Sequence, residues 1–390
     1  KVNRRIKDVV GSTTLAITAR AKELQAQGHD VVNFGAGEPD FDTPDFIKQA
    51  AIKAINTGFT KYTPSIGTQE LREAIAAKFQ KDNGLFYKPN QIVVSCGAKH
   101  SLFNIIQVLV DDGDEVIFQA PYWVSYPEMV KTAGGQAVII PTNQSTGFKI
   151  TPDLLIKHIT TKTKLLILNS PSNPTGVMYT KEELAKLAEI CVAHKIYVIS
   201  DEIYEKLVYD KINFSSIASL GKEIFDLTIT VNGVSKAYAM TGWRIGYAGG
   251  ALEIMEYIKK YQDHSTSNPT SISQAATVAA LAAPSDTIES MVEVFKGRRD
   301  LTLHCLDQIP QIRYIRPQGA FYVFCDISKI GDGAIVAKQM LDDIKVAVIP
   351  GDGFGAPEYI RLSFATSEER IKEGISRMGK WIETKVSCKV

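Results

Sequence analysis

The chain has 390 residues, with 45% hydrophobic and 22% charged residues, and 44 Lys and Arg against 43 Asp and Glu leave a formal net charge of +1. This is the composition of a folded globular protein, and at roughly 150 residues per domain the length predicts two or three domains or one large core with an attached lobe. With near-neutral charge and no long basic run, there is no electrostatic case for nucleic-acid binding.

The five cysteines, Cys96, Cys191, Cys305, Cys325 and Cys388, are odd in number, scattered, and never arranged as C-x-x-C. That usage predicts a reducing compartment and a cytoplasmic location. Lys1, Arg4 and Arg5 precede a mildly apolar stretch, but Gly11, Ser12, Thr13 and Thr14 interrupt it, so the continuous apolar core of a secretory signal is missing. No span reaches the roughly 18 apolar residues that a membrane helix needs.

In chain order, a helix-like stretch around Ile17 to Gln27 leads into a Gly- and Pro-rich loop from Gly35 to Pro44. Between Gln91 and Gly250, short apolar runs alternate with segments of helical period. Ile92 to Ser95, Glu115 to Gln119, Leu165 to Asn169, Ile196 to Ser200 and Leu227 to Val231 read as buried strands. Thr180 and Glu183 form a capping box, with Leu184, Leu187, Ala188 and Cys191 on one helix face. Such alternation predicts an α/β fold with a mostly parallel sheet covered by helices, which binds ligands outside the carboxyl ends of its strands. From about Ser285 the pattern changes to a long helix through Phe295 and Leu303, then strands at Tyr322 to Cys325, Val346 to Ile349 and Ile360 to Phe364. This predicts a smaller α+β lobe. The expected division is an N-terminal arm over residues 1–44 that also joins the small domain, a large domain over 45–284 and a small C-terminal domain over 285–390.

The residues just after the strands are Gly97, Ala98 and Lys99, then Tyr122 and Trp123, then Asn173, then Asp201 with Tyr204, and finally Lys236. Gly97-Ala98-Lys99-His100 opens a helix, where free N–H groups and the helix dipole favour an anion such as phosphate, although small residues there also make an ordinary turn. Read singly, Lys236 is equally a solvated loop lysine, Asp201 a helix N-cap, Asn173 a turn residue, Tyr204 and Trp123 core aromatics, and Arg244 a surface ion-pair partner. The six histidines, His29, His100, His158, His194, His264 and His304, show no metal-ligand spacing. Cys191 and His194 fit core packing better than a metal site, and Asp111, Asp112 and Asp114 fit an exposed turn better than a calcium loop.

Taken in order, Ala36-Gly37-Glu38-Pro39-Asp40-Phe41, Lys61-Tyr62, Pro121-Tyr122-Trp123, Asn169-Ser170-Pro171 with Asn173-Pro174-Thr175-Gly176, Ser200-Asp201-Glu202-Ile203-Tyr204, Ser235-Lys236, Gly242-Trp243-Arg244-Ile245-Gly246 and Arg361-Leu362-Ser363 form a specific set. Over essentially the whole chain the sequence resembles the fold-type I, class I aminotransferases that use pyridoxal 5′-phosphate, in particular the bacterial aspartate aminotransferase branch. The resemblance implies a large domain with a mostly parallel seven-stranded sheet between helices, plus a smaller α+β domain that closes over the substrate.

It also implies roles. Lys236 would form the Schiff base and move a proton, and Asp201 would pair with the pyridine nitrogen. Tyr204 and Asn173 would bond the phenolic oxygen of the cofactor, and Trp123 would stack on its ring. Arg244, Gly97, Ala98, Lys99 and Ser235 would surround the phosphate. Gly233 stands where many relatives carry a hydroxyl residue, so Ser235 is the nearest hydroxyl to that phosphate. Arg361 would clamp the substrate α-carboxylate, with Gly37, Asn173 and Trp123 beside it, and Tyr62 would reach across a homodimer to the phosphate of the partner site. Lys99, helped by hydroxyls near Ser12, Thr13 and Thr14, would read a distal carboxylate.

The expected reaction passes the amino group between L-aspartate or L-glutamate and 2-oxoglutarate or oxaloacetate by a ping-pong route, with no nucleic-acid, membrane or metal partner. Prephenate or aromatic oxo acids are alternative acceptors, and a β-lyase on the same scaffold is an alternative reaction. A ligand-sensing regulator on this fold would carry a fused basic DNA-binding domain, for which residues 1–44 leave little room.

Overall fold

The computed structural model describes residues 2–284 and 286–387. The expectations that touch Lys1, Ser285 and Cys388 therefore lie outside the described residues. Thirteen strands are formed by the described residues. In chain order they are β1 (Val32–Asn33), β2 (Ile92–Ser95), β3 (Glu115–Ala120), β4 (Gln136–Pro141), β5 (Thr163–Asn169), β6 (Tyr197–Asp201), β7 (Thr228–Gly233), β8 (Gly246–Gly249), β9 (Arg313–Tyr314), β10 (Tyr322–Asp326), β11 (Val346–Ala347), β12 (Ile349–Pro350) and β13 (Tyr359–Ser363).

Seven of these make one sheet in the order β2-β8-β7-β6-β5-β3-β4. Its neighbours are parallel except where β8 runs antiparallel between β2 and β7. The central strands carry near-continuous apolar runs because helices cover both faces. One such helix, Lys181–His194, is capped as its sequence demands: Thr180 Oγ1 accepts from Glu183 N at 3.2 Å, and Glu183 Oε2 accepts from Thr180 N at 2.8 Å. It buries Leu184, Leu187, Ala188 and Cys191 against Leu166, Leu168 and Val198 of the sheet. The cap contributes about 1 kcal/mol and each buried leucine about 2 kcal/mol.

Two strands of this sheet escape the apolar pattern. β4 is an edge strand with a largely uncovered face, and β8 reads Gly-Tyr-Ala-Gly, whose two glycines carry no strand signal. A second sheet, β12-β13-β10-β9, is antiparallel, and β1 pairs in parallel with β11. The apolar run expected as one strand from Val346 to Ile349 is two: Val346 and Ala347 pair with Val32 and Asn33, while Ile349 and Pro350 pair with Arg361 and Ile360. The chain changes sheets at buried Val348. The early helix begins at Thr13 instead of Ile17, capped by Ser12. The long helix Asp286–Leu306 and the C-terminal helix Glu368–Ser387 pack beside the second sheet, around Phe295, Phe321, Phe364 and Trp381.

The topology brings the ends of β3, β5, β6 and β7 to one edge. Because β8 is reversed, its first residue, Gly246, pairs with both Gly233 and Ser95 at that same edge. Space there is tight: a Cβ on Gly246 would lie 2.0 Å from Ala98 N, and one on Gly233 would lie 3.0 Å from Ile245 O. This packing gives a physical reason for glycine at position 233. We expect Gly246→Ala to force the start of the Ala98–Leu109 helix away from the sheet and to lower stability by about 1–3 kcal/mol in chemical denaturation. An unchanged unfolding midpoint would contradict this crossing.

Candidate active site

At this edge a cleft of about 230 Å³ is lined by residues from both ends of the chain, among them Ser12, Gly37, Lys99, Trp123, Asn173, Asp201, Tyr204, Ser235, Lys236, Arg244 and Arg361. Residues that lie 349 positions apart in sequence (361 − 12) thus share one surface. Two strand pairings bring the N-terminal loop here. Phe34 N donates to Ala347 O and Ser363 N to Phe34 O, both at 2.8 Å, so Gly35 to Gly37 run beside the strand that carries Arg361.

Lys236 follows β7, and its Nζ donates to Gly37 O. The ammonium faces the rings of Tyr204 at 6.0 Å and Phe321 at 5.8 Å. Enclosure in the cleft pushes its pKa down to about 8, with Glu38 opposing the shift and Arg361, Arg244 and Lys99 adding to it. Asp201, at the end of β6, is buried, and its Oδ2 accepts from Tyr126 Oη at 2.6 Å. Burial raises its pKa to about 6, while the Tyr126 hydroxyl, the Ile203 N–H and the Lys236 charge pull it back. Asp201 begins a turn, with Ile203 N on its Oδ1 at 3.4 Å, and so is not the helix cap that its position after a strand allowed.

Arg361 is only 2% exposed. Its Nη1 donates to Asn173 Oδ1 at 2.9 Å and its Nη2 to Gly35 O at 3.2 Å, while Nε has no partner. The guanidinium lies 4.2 Å from the ring centroid of Tyr322, whose hydroxyl is 2.9 Å from that of Tyr204. A buried guanidinium held by neutral groups and a π-face, with one N–H unsatisfied, is an anion site by its chemistry.

The opposite end of the cleft has the same character. Gly97, at φ +92°, precedes the Ala98–Leu109 helix, whose first N–H groups have no intrahelical partner. A Cβ on Gly97 would lie 2.3 Å from Arg244 Nη2, so the missing side chain lets the guanidinium settle over the helix start. Arg244 donates to Thr241 O and Cys96 O and is itself left-handed at φ 55°, a costly conformation for a residue with a side chain. Lys99 Nζ stands 4.8 Å over the Trp123 ring, and partial burial with Arg244 nearby lowers its pKa. Thr14, which lines this lysine's cleft, holds a buried Oγ1 without a partner, whereas the equally unpartnered Oγ1 of Thr13 lies against Gly353. Among the described residues none of Lys99, Lys236, Arg244 or Arg361 forms an ion pair.

Three of the residues named from sequence stand apart from the lining. Gly97 acts behind Arg244, Thr13 turns its hydroxyl to Gly353, and Tyr62 is 92% exposed, outside the cleft of its own chain. Two residues that sequence reasoning passed over are Tyr126 and Tyr322. Tyr126 follows Trp123 by three positions, with the two rings 5.4 Å apart and edge-on. Only that spacing could have drawn attention to it.

The donor set fits pyridoxal 5′-phosphate: a helix start with an arginine for a phosphate, a flat tryptophan for a ring, a buried carboxylate for a ring nitrogen, and a lysine of lowered pKa between them. Comparison with known proteins gives the family. The model of the family "Aminotransferase class I and II" matches residues 29–378. The chain is 49% identical to an aspartate aminotransferase of Bacillus subtilis over 98% of this chain and 99% of that one. It is 45% identical to an aspartate/prephenate aminotransferase of Thermus thermophilus over 97% and 98%. Among solved structures, the aspartate aminotransferase of Thermus thermophilus with maleate superposes with a TM-score of 0.93 at 44% identity, covering 97% of this chain and 99% of that one. That of Rhizobium meliloti gives 0.94 at 42% identity, covering 98% and 99%. The fold is that of the fold-type I enzymes, and the chain belongs to the class I and II aminotransferases.

Proposed function

We propose that this aminotransferase uses pyridoxal 5′-phosphate to move the amino group of L-aspartate or L-glutamate to 2-oxoglutarate or oxaloacetate. The observation that carries the reading is the set of four unpaired cations, Lys99, Lys236, Arg244 and Arg361, around one buried carboxylate, Asp201. When bound, the cofactor supplies an aldehyde that condenses with amines and a ring that accepts the electron pair left when a Cα–H bond breaks. Arg244, the Ala98 and Lys99 N–H groups and Ser235 would hold its phosphate, and Asp201 its ring nitrogen. Trp123 would cover one ring face. Asn173 and Tyr204 would hold the phenolic oxygen.

Arg361 binds the substrate α-carboxylate with its forked donors, beside Gly37. Lys99 meets a distal carboxylate, and the unsatisfied Thr14 hydroxyl lines the same cleft. Lys236 Nζ, with a pKa near 8, takes the proton from the Cα of the amino donor and returns a proton to the Cα of the product amino acid in the second half-reaction. The first oxo acid leaves before the acceptor enters. Residues 285–390, joined by part of the N-terminal arm over residues 1–44, form the small domain that closes on residues 45–284 and excludes water. The aspartate/prephenate names among the relatives support prephenate as a further acceptor.

The working unit is a homodimer in the cytoplasm. Phe46, Ile52, Ile55 and Phe59 are exposed apolar residues in the segment that leads to Tyr62, which is exposed as well and would enter the partner's site. No helix among the described residues is long and apolar enough to cross a membrane, and the four described cysteines are free.

Three outcomes are expected. In the purified protein the visible band of the bound cofactor shifts on adding L-aspartate and returns on adding 2-oxoglutarate, whereas release of ammonia and pyruvate from cysteine would favour a lyase. Lys99→Ala lowers kcat/KM for aspartate roughly 10- to 100-fold, the worth of a charge-assisted hydrogen bond, with far smaller losses for alanine or phenylalanine. Equal losses for all donors would place Lys99 in the scaffold. In cofactor-free protein, acetylation of Lys236 followed by peptide mass spectrometry rises through an inflection near pH 8, because the neutral amine is the reactive form. An inflection at the ordinary lysine value of 10.5 would contradict the site's electrostatics.

A further inference from the structure

Below the cleft lies a second group of ionisable residues that the reaction does not use. The turn after β6 is built on a three-residue spacing: Asp201 and Tyr204 face the cleft, while Glu202 and Glu205 point the other way and are equally buried. Glu205 N donates to Glu202 O at 2.9 Å and Leu207 N to Tyr204 O at 2.8 Å, so the four side chains are fixed by one short piece of backbone. Moving either acid moves the residues that face the cleft.

Both acids are held from outside the sheet. The helix Gln69–Lys78 ends in a π-helical turn, Phe79–Asn83, closed by left-handed Gly84. Such turns are rare and concentrate at functional sites. This one buries Lys78 and Asn83 together. Lys78 Nζ donates to Asn83 Oδ1 at 2.7 Å and to Glu205 Oε1, and lies 3.5 Å from Asp82 Oδ2. Asn83 Nδ2 donates to Glu205 Oε2 at 2.5 Å and to Glu202 Oε2 at 3.2 Å, so one amide bridges the two acids. Ser200 and Ser216 hydroxyls both donate to Glu202 Oε1, at 2.7 and 2.5 Å. Lys206 completes the set on Asp82 at 2.9 Å. Burying this many charged groups is costly unless each is satisfied, and replacing such groups by apolar ones is often neutral for stability. The network therefore calls for a reason other than stability.

We propose that Lys78 and Asn83 are positioning residues for the reaction: through Glu205 and Glu202 they clamp the turn from below, so that Tyr204 and Asp201 meet the cofactor at fixed positions. The inference rests on the functional reading above. It makes the π-turn, which does not line the cleft, a determinant of the cofactor's electronic state. Loosening the clamp lets Tyr204 and Asp201 shift, which changes proton affinity at the cofactor without removing any group that binds substrate.

The test uses the full-length, cofactor-loaded protein with Lys78→Met and, as a variant that keeps the shape of the cluster but removes its charge and one of the two acceptors that Lys78 and Asn83 use, Glu205→Gln. Both should move the pH midpoint of the visible absorption band by about half a unit or more and lower kcat about tenfold, with KM for aspartate within about twofold. The double variant should lose less than the product of the two single effects, as coupled neighbours do. In cofactor-free protein, hydrogen exchange in the 201–207 segment should quicken while β5 stays protected. Variants that melt earlier but keep the wild-type midpoint and kcat would make the cluster packing alone and overturn the inference. A wild type with no visible band would overturn the functional reading and this inference with it, whereas a normal wild type with unmoved variants overturns this inference alone.

Discussion

The structure turns on an imbalance of charge. Arg361, Arg244, Lys99 and Lys236 converge on one cleft, none has an acidic partner among the described residues, and the carboxylate they share the cleft with, Asp201, is itself buried. Like charges gathered in a poorly solvated space repel one another and suffer from lost hydration. A fold keeps such a cluster when ligands bring the missing negative charge. The strain has a local record in the lowered pKa of Lys236 and Lys99, both moved by burial and by neighbouring cations. Lowering is useful at Lys236 because a neutral amine is both nucleophile and base.

The sheet explains how the cluster can exist. Parallel strands deliver Asp201, Asn173 and Lys236 to one edge as the strands end, and the reversed β8 delivers Arg244 to that edge as it begins. Gly246, Gly233 and Gly97 allow the strand, the helix start and the guanidinium to pass within contact of one another. The second sheet adds Arg361 from β13, and the pairing of β1 with β11 lays Gly37 beside it. Each charged group thus comes from a separate rigid element, and the site is assembled only when the whole chain is folded.

Local signals carried the sequence reading as far as local signals go. The buried runs of β2, β3, β5, β6 and β7 and the Thr180 capping box are written in neighbouring residues, and the structure keeps them with shifts of a residue or two. β8 was not legible because its glycines serve close packing and give no apolar alternation. The run from Val346 was read as one strand because a change of sheet at Val348 leaves no mark in composition. The ordered family motifs marked the cleft residues, but the hydrogen bond from Tyr126 to Asp201 spans 75 positions and the Lys78 clamp spans 127. Contacts at that range are settled by packing, so residues that support the site from behind could be seen only in three dimensions.

The central claim, that the unpaired cations exist to hold a phosphate at one end of the cleft and a carboxylate at the other, is tested most directly by a crystal structure of the cofactor-loaded protein with succinate. The account predicts phosphate oxygens on Arg244 and the Ala98 and Lys99 N–H groups, and one succinate carboxylate on the forked donors of Arg361 with the other turned toward Lys99. Finding succinate elsewhere, with Arg361 still bonded only to Asn173 and Gly35, would contradict it.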